Sequence, residues 1–480
     1  MATRYDYNLI VIGAGAAGLT GAYLAAASKA KVLLVERHKM GGDCLNTGCV
    51  PSKALLRTGK ILSYIRRANE FGLAGATAQV DFALVMERVQ AVIRQVAPHD
   101  SIDRYQSLGV EVQIGEARLT GPHQVEVGGR TYSARAILLA TGARPLVPPF
   151  KGLEQIPYST SDNLWDLRTQ PKELLVLGGG PIGCELAQAF GRLGSQVKIV
   201  NLAAHLLDRE DPEVAQLIEK RFQQEGIKLF NSHKALEFGR EEGRPYLLAQ
   251  GPVGPVKIGF DHALIALGRQ ANSEIPGAKE LGIHLRGNGT VEANPFLQTN
   301  LPHIFVAGDL TGPYQFTHTA GHQAWYAAVN ALFDPFKKFK VDYSVIPWCT
   351  FVDPEVAHVG LNETEAKQQG LDYQVTHYPL ADLDRAIADA ETQGFVKVLT
   401  QGSKDRILGV TIVGSHAGDL IAEFVLAMKQ GRGLNQILGT IHIYPTLAEA
   451  NKMAAGAWKR THLPKGLLAL VELFHRWRRS

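Results

Sequence analysis

One local pattern occurs twice in this chain, and it leaves few folds open. Asn8-Leu9-Ile10-Val11-Ile12 runs into Gly13-Ala14-Gly15-Ala16-Ala17-Gly18. Glu173-Leu174-Leu175-Val176-Leu177 runs into Gly178-Gly179-Gly180-Pro181-Ile182-Gly183. Each time a short apolar strand meets G-x-G-x-x-G and an Ala/Leu-rich helical pattern follows, which is the context the motif requires. The glycines let the backbone turn tightly and approach a pyrophosphate, and the helix N-terminus offers free N–H donors and the positive end of its dipole. Two helix-packing glycine turns without a ligand are the alternative reading.

An acid about 20 residues further on would accept from the ribose hydroxyls of a bound dinucleotide. In the first copy the strand Lys31–Val35 ends in Glu36; in the second, Gln196–Val200 ends in Asn201. Two such units in one chain suggest two dinucleotides.

Between the copies lies Gly41-Gly42-Asp43-Cys44-Leu45-Asn46-Thr47-Gly48-Cys49-Val50-Pro51-Ser52-Lys53. A dithiol beside a bound dinucleotide is a redox device. Two unpaired structural thiols and a zinc half-site are the alternatives, but C-x4-C with no second Cys/His pair nearby is poor zinc spacing. No metal-binding set is expected. Of the other two cysteines, Cys184 and Cys349, both are expected to be buried in packing.

With 480 residues, two to four domains are expected. A net charge of +4 is too weak to argue for nucleic acid, and four cysteines do not make a secreted disulfide framework. The stretch Met1–Tyr7 is polar and aromatic, with no apolar signal region, and no apolar run is long enough to span a bilayer. We read the chain as cytoplasmic. Helical patterns run from about Ser52 to Leu108, and short strands follow to Ala136–Gly142. A proline-marked linker contains Pro145, Pro148, Pro149 and Pro157. Strands are expected at Ala263–Arg269 and Ile304–Asp309, a texture change near residue 345, and a helix over Asp419–Lys429.

Taken in order, GAGAAG, GGDCLNTGCVPSK, LLATGARP, GGGPIGCELAQAF, ALGRQAN, VAGDLTG, DPEVAHVG and YPTLAE resemble the flavin-dependent pyridine nucleotide–disulfide oxidoreductases over about Tyr5–Lys459. That family includes mercuric reductase and dihydrolipoamide dehydrogenase. The resemblance implies an α/β chain with two Rossmann-like FAD- and NAD(P)-binding domains and a C-terminal α+β dimerisation domain. The expected boundaries are 1–150 completed by 276–345 for FAD, 151–275 for NAD(P), 346–462 for dimerisation and 463–480 for a basic amphipathic tail. FAD would lie on Gly13, Gly15, Gly18, Glu36, Gly42, Thr141, Gly142, Gly308 and Asp309. NADH or NADPH would lie on Gly178, Gly180, Gly183, Asn201, Gly268 and Arg269. Lys53 would stand beside the flavin with Glu185 as its ion-pair partner. Cys49 would be the flavin-side thiolate and Cys44 the outward interchange thiol. Pro51 suits the first helical position, and the helix dipole and Lys53 should lower the Cys49 pKa. Cys44, Cys49, Lys53, Glu185, Tyr444 and Glu449 form the expected catalytic set, the last two delivered by the other subunit of a homodimer.

Three departures narrow the function. Dihydrolipoamide dehydrogenase reads His-Pro-Thr-x-x-Glu where this chain reads Tyr444-Pro445-Thr446-Leu447-Ala448-Glu449, and a tyrosine with a pKa of ~10 is a poor base. His442, two residues earlier, is a candidate substitute. Mercuric reductase ends in a Cys-Cys pair, whereas no cysteine follows Cys349 here. Asn201 neither repels a 2′-phosphate nor strongly selects a diol, and His205 and Arg209 are candidate phosphate contacts. The leading expectation is an enzyme passing electrons from NAD(P)H through FAD and the Cys44–Cys49 disulfide to a metal ion, quinone or small disulfide. Dihydrolipoamide dehydrogenase is the second reading and a non-catalytic flavin-bearing redox sensor the third. In the tail, Leu467, Leu470, Val471, Phe474 and Trp477 share a helical face, with Arg476, Arg478 and Arg479 at its end. Such a helix can pack on its own dimer or lie on an anionic membrane surface.

Overall fold

The computed structural model describes residues 4–479. Met1–Thr3 of the polar N-terminal stretch, Ser480, and the side chains of Lys465 and Leu467 lie outside the described residues. The chain divides into two compact units. The first takes in the chain up to Arg66 together with Ala76–Ala203 and Glu225–Asp342, and the second Arg67–Gly75, Ala204–Gln224 and the chain from Tyr343 onward.

In the first unit β1 (Tyr7–Ile12), α1 (Ala16–Ala27) and β2 (Val32–Glu36) form a β-α-β element. After α2 (Gly42–Asn46) and α3 (Cys49–Arg66) the chain adds β3 (Val110–Ile114), β4 (Ala117–Gly121), β5 (Gln124–Val127) and β6 (Arg130–Leu139). The sheet order is β3-β2-β1-β6-β5-β4, with Ile304–Val306 also paired to β6. β1 therefore runs parallel to a neighbour on each side, and a strand buried on both faces needs a continuous apolar run. Ile10, Leu33, Val35, Ile137 and Leu139 pack on one face. Leu9, Val11, Leu34 and Leu138 pack on the other, against alanines of α1 and of the helix Thr317–Phe333.

The second glycine motif follows Glu173–Leu177, which sits inside a five-stranded parallel sheet between Gln196–Val200 and His262–Ile265. Within Ala263–Arg269 the strand stops at Ile265 and turns, Gly268 adopts φ +112°, and Arg269–Ala271 pairs antiparallel with Ala143–Pro145. The helix expected from Ser52 begins at Cys49, which puts Pro51 third rather than first, still in the turn whose N–H groups lack intrahelical acceptors. No helix among the described residues is long and apolar enough to cross a membrane.

The second unit is built on a five-stranded antiparallel sheet. Ala417–Lys429, a helix starting two residues before the expected one, packs with it in a common core through Ala417, Ile421 and Phe424. A lysine, Lys397, is buried in the strand Phe395–Gln401. Its ammonium reaches Asp211 at 2.9 Å, Glu213 at 2.5 Å and Glu363 at 2.7 Å. These acids lie close enough together to hold a metal ion, but Lys397 already supplies the cation. Against burial, which raises it, the hydrogen bond from Lys397 holds Asp211 below the usual carboxylate range, and Glu363 behaves alike.

Removing one side of a buried ion cluster strands the other side, typically at a cost of about 3–5 kcal/mol. Lys397→Ala should lose that much in a denaturation midpoint series at neutral pH. Because the acids' pKa values are depressed, the stabilisation is present above the unfolded carboxylate value of about 4 and lost as pH falls through the folded one. The deficit of the variant should therefore shrink in acid. A deficit independent of pH would assign Lys397 to packing alone.

Candidate active site

The two glycine motifs have the same internal geometry. Gly13 has φ +103°, and a Cβ there would fall 2.4 Å from the Ala140 carbonyl oxygen; at Gly18 it would fall 1.7 Å from that of Gly13. The second copy repeats this, with Gly178 at φ +116° and 2.2 Å from Ala266 O, and Gly183 at 2.1 Å from Gly178 O. Any side chain at these positions would push strand and helix apart. The middle glycines differ: a Cβ on Gly180 would meet nothing within 4 Å, and on Gly15 only Gly42 Cα at 3.8 Å. Their backbone is exposed to whatever lies over the turn.

Glu36 and Asn201 occupy equivalent places. The Glu36 carboxylate is buried and accepts from Ala14 N at 2.7 Å and His38 N at 2.8 Å. Asn201, also buried, accepts from Gly179 N at 3.3 Å. Each carboxylate oxygen of Glu36 keeps a lone pair for a ligand hydroxyl. An open glycine cradle, a helix N-terminus and a buried acceptor at the next strand end fit a dinucleotide at both places.

The cysteine loop is clamped onto the first cradle. Gly41 and Gly42 have φ +89° and +58°, and a Cβ on Gly42 would lie 2.5 Å from Gly15 Cα. Asn46 ties the loop by donating to Met40 O at 3.0 Å and Gly42 O at 2.8 Å. Cys44 thus stands half-buried in α2, and Cys49 exposed at the start of α3. Both are thiols, and Cys44 donates a hydrogen bond to Cys49, which also lies 3.4 Å from Thr317 Oγ1. That hydrogen bond is the first cause of an asymmetry: Cys44 is held well above the usual thiol range, and Cys49 is brought down to about 6. Burial raises both, Thr317 and the Lys53 ammonium help lower Cys49, and the Asp43 carboxylate raises both. The direction agrees with the sequence expectation; the leading cause is the partner thiol rather than Lys53.

Lys53 pairs with the nearly buried Glu185 at 2.9 Å. Arg269 joins Asp43 at 2.6 Å to Asp309 at 3.4 Å, and burial raises the Asp309 pKa despite that cation. Arg269 was expected only as a nucleotide contact; here it also links the cysteine loop to Asp309. Thr141 donates to Asn272 O at 2.9 Å, and Gly142, at φ +68°, accepts from Asn272 N at 2.9 Å. Gly308 N donates to the buried Gln323 at 2.6 Å. Thr317, Asn272 and Gln323 were missed from sequence. Asn272 closes the motif ALGRQAN and could have been found there; Thr317 and Gln323 carry no local signal.

In the second unit Tyr444 is exposed and donates to Asp384 at 3.0 Å, which raises its pKa. Glu449 is buried at the start of the helix Glu449–Thr461 and accepts from Thr446 N at 3.4 Å. His442 faces both Glu423 oxygens at 3.0 and 3.1 Å through Nε2, and Thr440 O at 3.0 Å through Nδ1. Both ring nitrogens are therefore engaged by neighbouring acceptors. His205 lies 3.3 Å from Glu219, and the carbonyl of Arg209 accepts from Asn362 at 2.8 Å. Cys184 is fully buried, as expected, whereas Cys349 is only half-buried, because its short strand Pro347–Thr350 is partly uncovered.

In the reduced protein, the thiolate absorbance should titrate with a midpoint near pH 6, present above it and lost below. Thr317→Val should move the midpoint up, and Asp43→Asn should move it down. A midpoint near the ordinary cysteine value of about 8.5 would overturn the asymmetry.

Residues 7–324 match the family model for pyridine nucleotide-disulphide oxidoreductase, and residues 346–455 match that family's dimerisation domain. A mercuric reductase of Lysinibacillus sphaericus is 36% identical, with 94% of this chain and 82% of that one covered. A dihydrolipoyl dehydrogenase of Chlamydia muridarum (strain MoPn / Nigg) is 33% identical, with 92% and 95% covered. Among solved structures, the HOCl-induced flavoprotein disulfide reductase RclA from Escherichia coli is similar with a TM-score of 0.83 at 26% identity, covering 94% of this chain and 99% of that one. Two nucleotide cradles flanking a dithiol, and these relatives along nearly the whole length, lead to one conclusion: the chain belongs to the pyridine nucleotide–disulphide oxidoreductases, flavin-dependent enzymes that use FAD and NAD(P)H.

Proposed function

We propose that this enzyme passes electrons from NAD(P)H through FAD and the Cys44–Cys49 pair to a metal ion, quinone or small disulfide. The observation that carries the reading is the unequal thiol pair, one proton held on Cys44 and a thiolate favoured on Cys49, beside the Lys53–Glu185 ion pair. Gly13, Gly15, Gly18, Glu36, Gly42, Thr141, Gly142, Gly308 and Asp309 would hold FAD. Gly178, Gly180, Gly183, Asn201, Gly268 and Arg269 would hold NADH or NADPH. These cofactors supply the hydride and the electron pair. Lys53 supplies positive charge where negative charge would develop, and Glu185 keeps its ammonium in place. Cys44 gives up its proton on meeting the acceptor. As the two sulfurs bond to each other, the acceptor gains two electrons.

The acceptor class follows from Tyr444. A mercuric reductase and a dihydrolipoyl dehydrogenase are similar to this chain at nearly equal identity, so overall likeness does not choose between them. With Tyr444 bonded to Asp384 and His442 taken up by Glu423 and Thr440, the segment offers no free imidazole base for a dithiol substrate. That favours acceptors needing no such base over lipoamide. The match to a dimerisation domain supports a homodimer, in which Tyr444 and Glu449 would serve the other subunit's dithiol. We place the domains at 1–150 with 276–345, 151–275, 346–462 and 463–480, and the enzyme in the cytoplasm.

Anaerobic single turnover of the NAD(P)H-reduced enzyme against lipoamide, oxidised glutathione, Hg(II) and a quinone tests the acceptor. Rapid reoxidation by Hg(II) or the quinone but not by lipoamide is expected, and rapid reoxidation by lipoamide would restore dihydrolipoamide dehydrogenase. Cys44→Ser should keep bound FAD and lose acceptor reduction; full activity would end the dithiol mechanism. Tyr444→His should raise lipoamide turnover, and no change would mean the missing base is not the barrier.

A further inference from the structure

The C-terminal helix Lys465–Arg479 has a strongly one-sided surface. Leu470, Phe474 and Trp477 recur at helical spacing and are 65%, 49% and 71% exposed, with Val471 and Leu473 also exposed beside them. Fifteen residues of helix cannot span a bilayer, which needs about 20 apolar ones. The geometry points to a different use: this helix lies flat on an anionic lipid surface, its apolar face at the acyl boundary and its basic residues among the phosphates.

Charge selects the occupant. Arg476, Arg478 and Arg479 stand against a single acid, Glu472, which is already paired with Arg476 at 2.6 Å. Arg478 sits over the Phe474 ring at 5.8 Å, so a guanidinium borders the apolar face itself. If the helix paired with its counterpart in a second copy, that guanidinium would be drawn into the seam, with no unpaired acid on either helix to receive it. A lipid phosphate receives it directly. Trp477, with an apolar ring and one N–H donor, belongs at the water–lipid boundary, where such side chains concentrate. Low overall hydrophobicity combined with strong segregation and a basic edge distinguishes an interfacial helix from a spanning one.

Flotation of the full-length holoenzyme with phosphatidylcholine vesicles, with and without phosphatidylglycerol, tests this. Binding to the anionic vesicles alone is expected, weakening as salt screens the charges, with a blue shift in Trp477 emission that Trp477→Phe removes. At roughly fivefold in partitioning per basic residue, the triple change Arg476→Gln, Arg478→Gln, Arg479→Gln should weaken binding about a hundredfold. Leu470→Glu should abolish it, while both variants keep their flavin content and oligomeric state. Failure to bind anionic vesicles at low salt would overturn the proposal, as would equal binding to neutral ones. So would a lipid-free change in oligomeric state on Leu470→Glu, since the apolar face would then be covered by a second copy.

Discussion

A Cβ on Gly18 would lie 1.7 Å from the Gly13 carbonyl, and one on Gly13 would lie 2.4 Å from that of Ala140. This close backbone approach governs the rest of the first unit. It lets α1 start directly over the end of β1, so that its first free N–H groups face the turn. It also brings Gly15 within reach of Gly42, and Gly42 is the first residue of the short helix that carries Cys44. The nucleotide cradle and the cysteine loop are therefore one packed object, and the dithiol inherits its position from the glycines.

Within that object, the two thiols differ in how firmly each holds its proton. The Cys44 hydrogen bond to Cys49 does most to separate the two thiols, and Thr317 and Lys53 reinforce it. Asp43 acts the other way, raising both. Its charge is answered by Arg269, which also pairs with Asp309. A residue expected for its place in a nucleotide motif thus sits in the electrostatics of the thiols.

The two cradles show how far geometry and charge can be uncoupled. Glu36 and Asn201 bond to corresponding amides, on Ala14 and Gly179, at the ends of corresponding strands. One brings a negative charge to that place and the other none. The first suits a diol in preference to a phosphate; the second is neutral toward the choice.

The repeated strand–glycine–helix pattern, the C-x4-C pair and the paired lysine and glutamate were legible because each depends on residues near in sequence or on a motif that carries its own geometry. Glycine needs at close approach, apolar runs in a doubly covered strand and helix starts are local consequences of covalent structure. Other features depend on distant segments meeting. Thr317 lies beside Cys49 across 268 positions, and Lys397 collects acids from two remote stretches. Only the tertiary structure decided those partners, and with them the state of each thiol, the engagement of His442 by Glu423 and the break in the strand after Ile265. Sequence by itself determined the α/β architecture and the placing of two cysteines beside the first glycine turn, because backbone sterics and side-chain chemistry act over a few residues. Which groups set the balance between the two thiols was left to the fold, because electrostatic interactions depend on distance in space rather than along the chain.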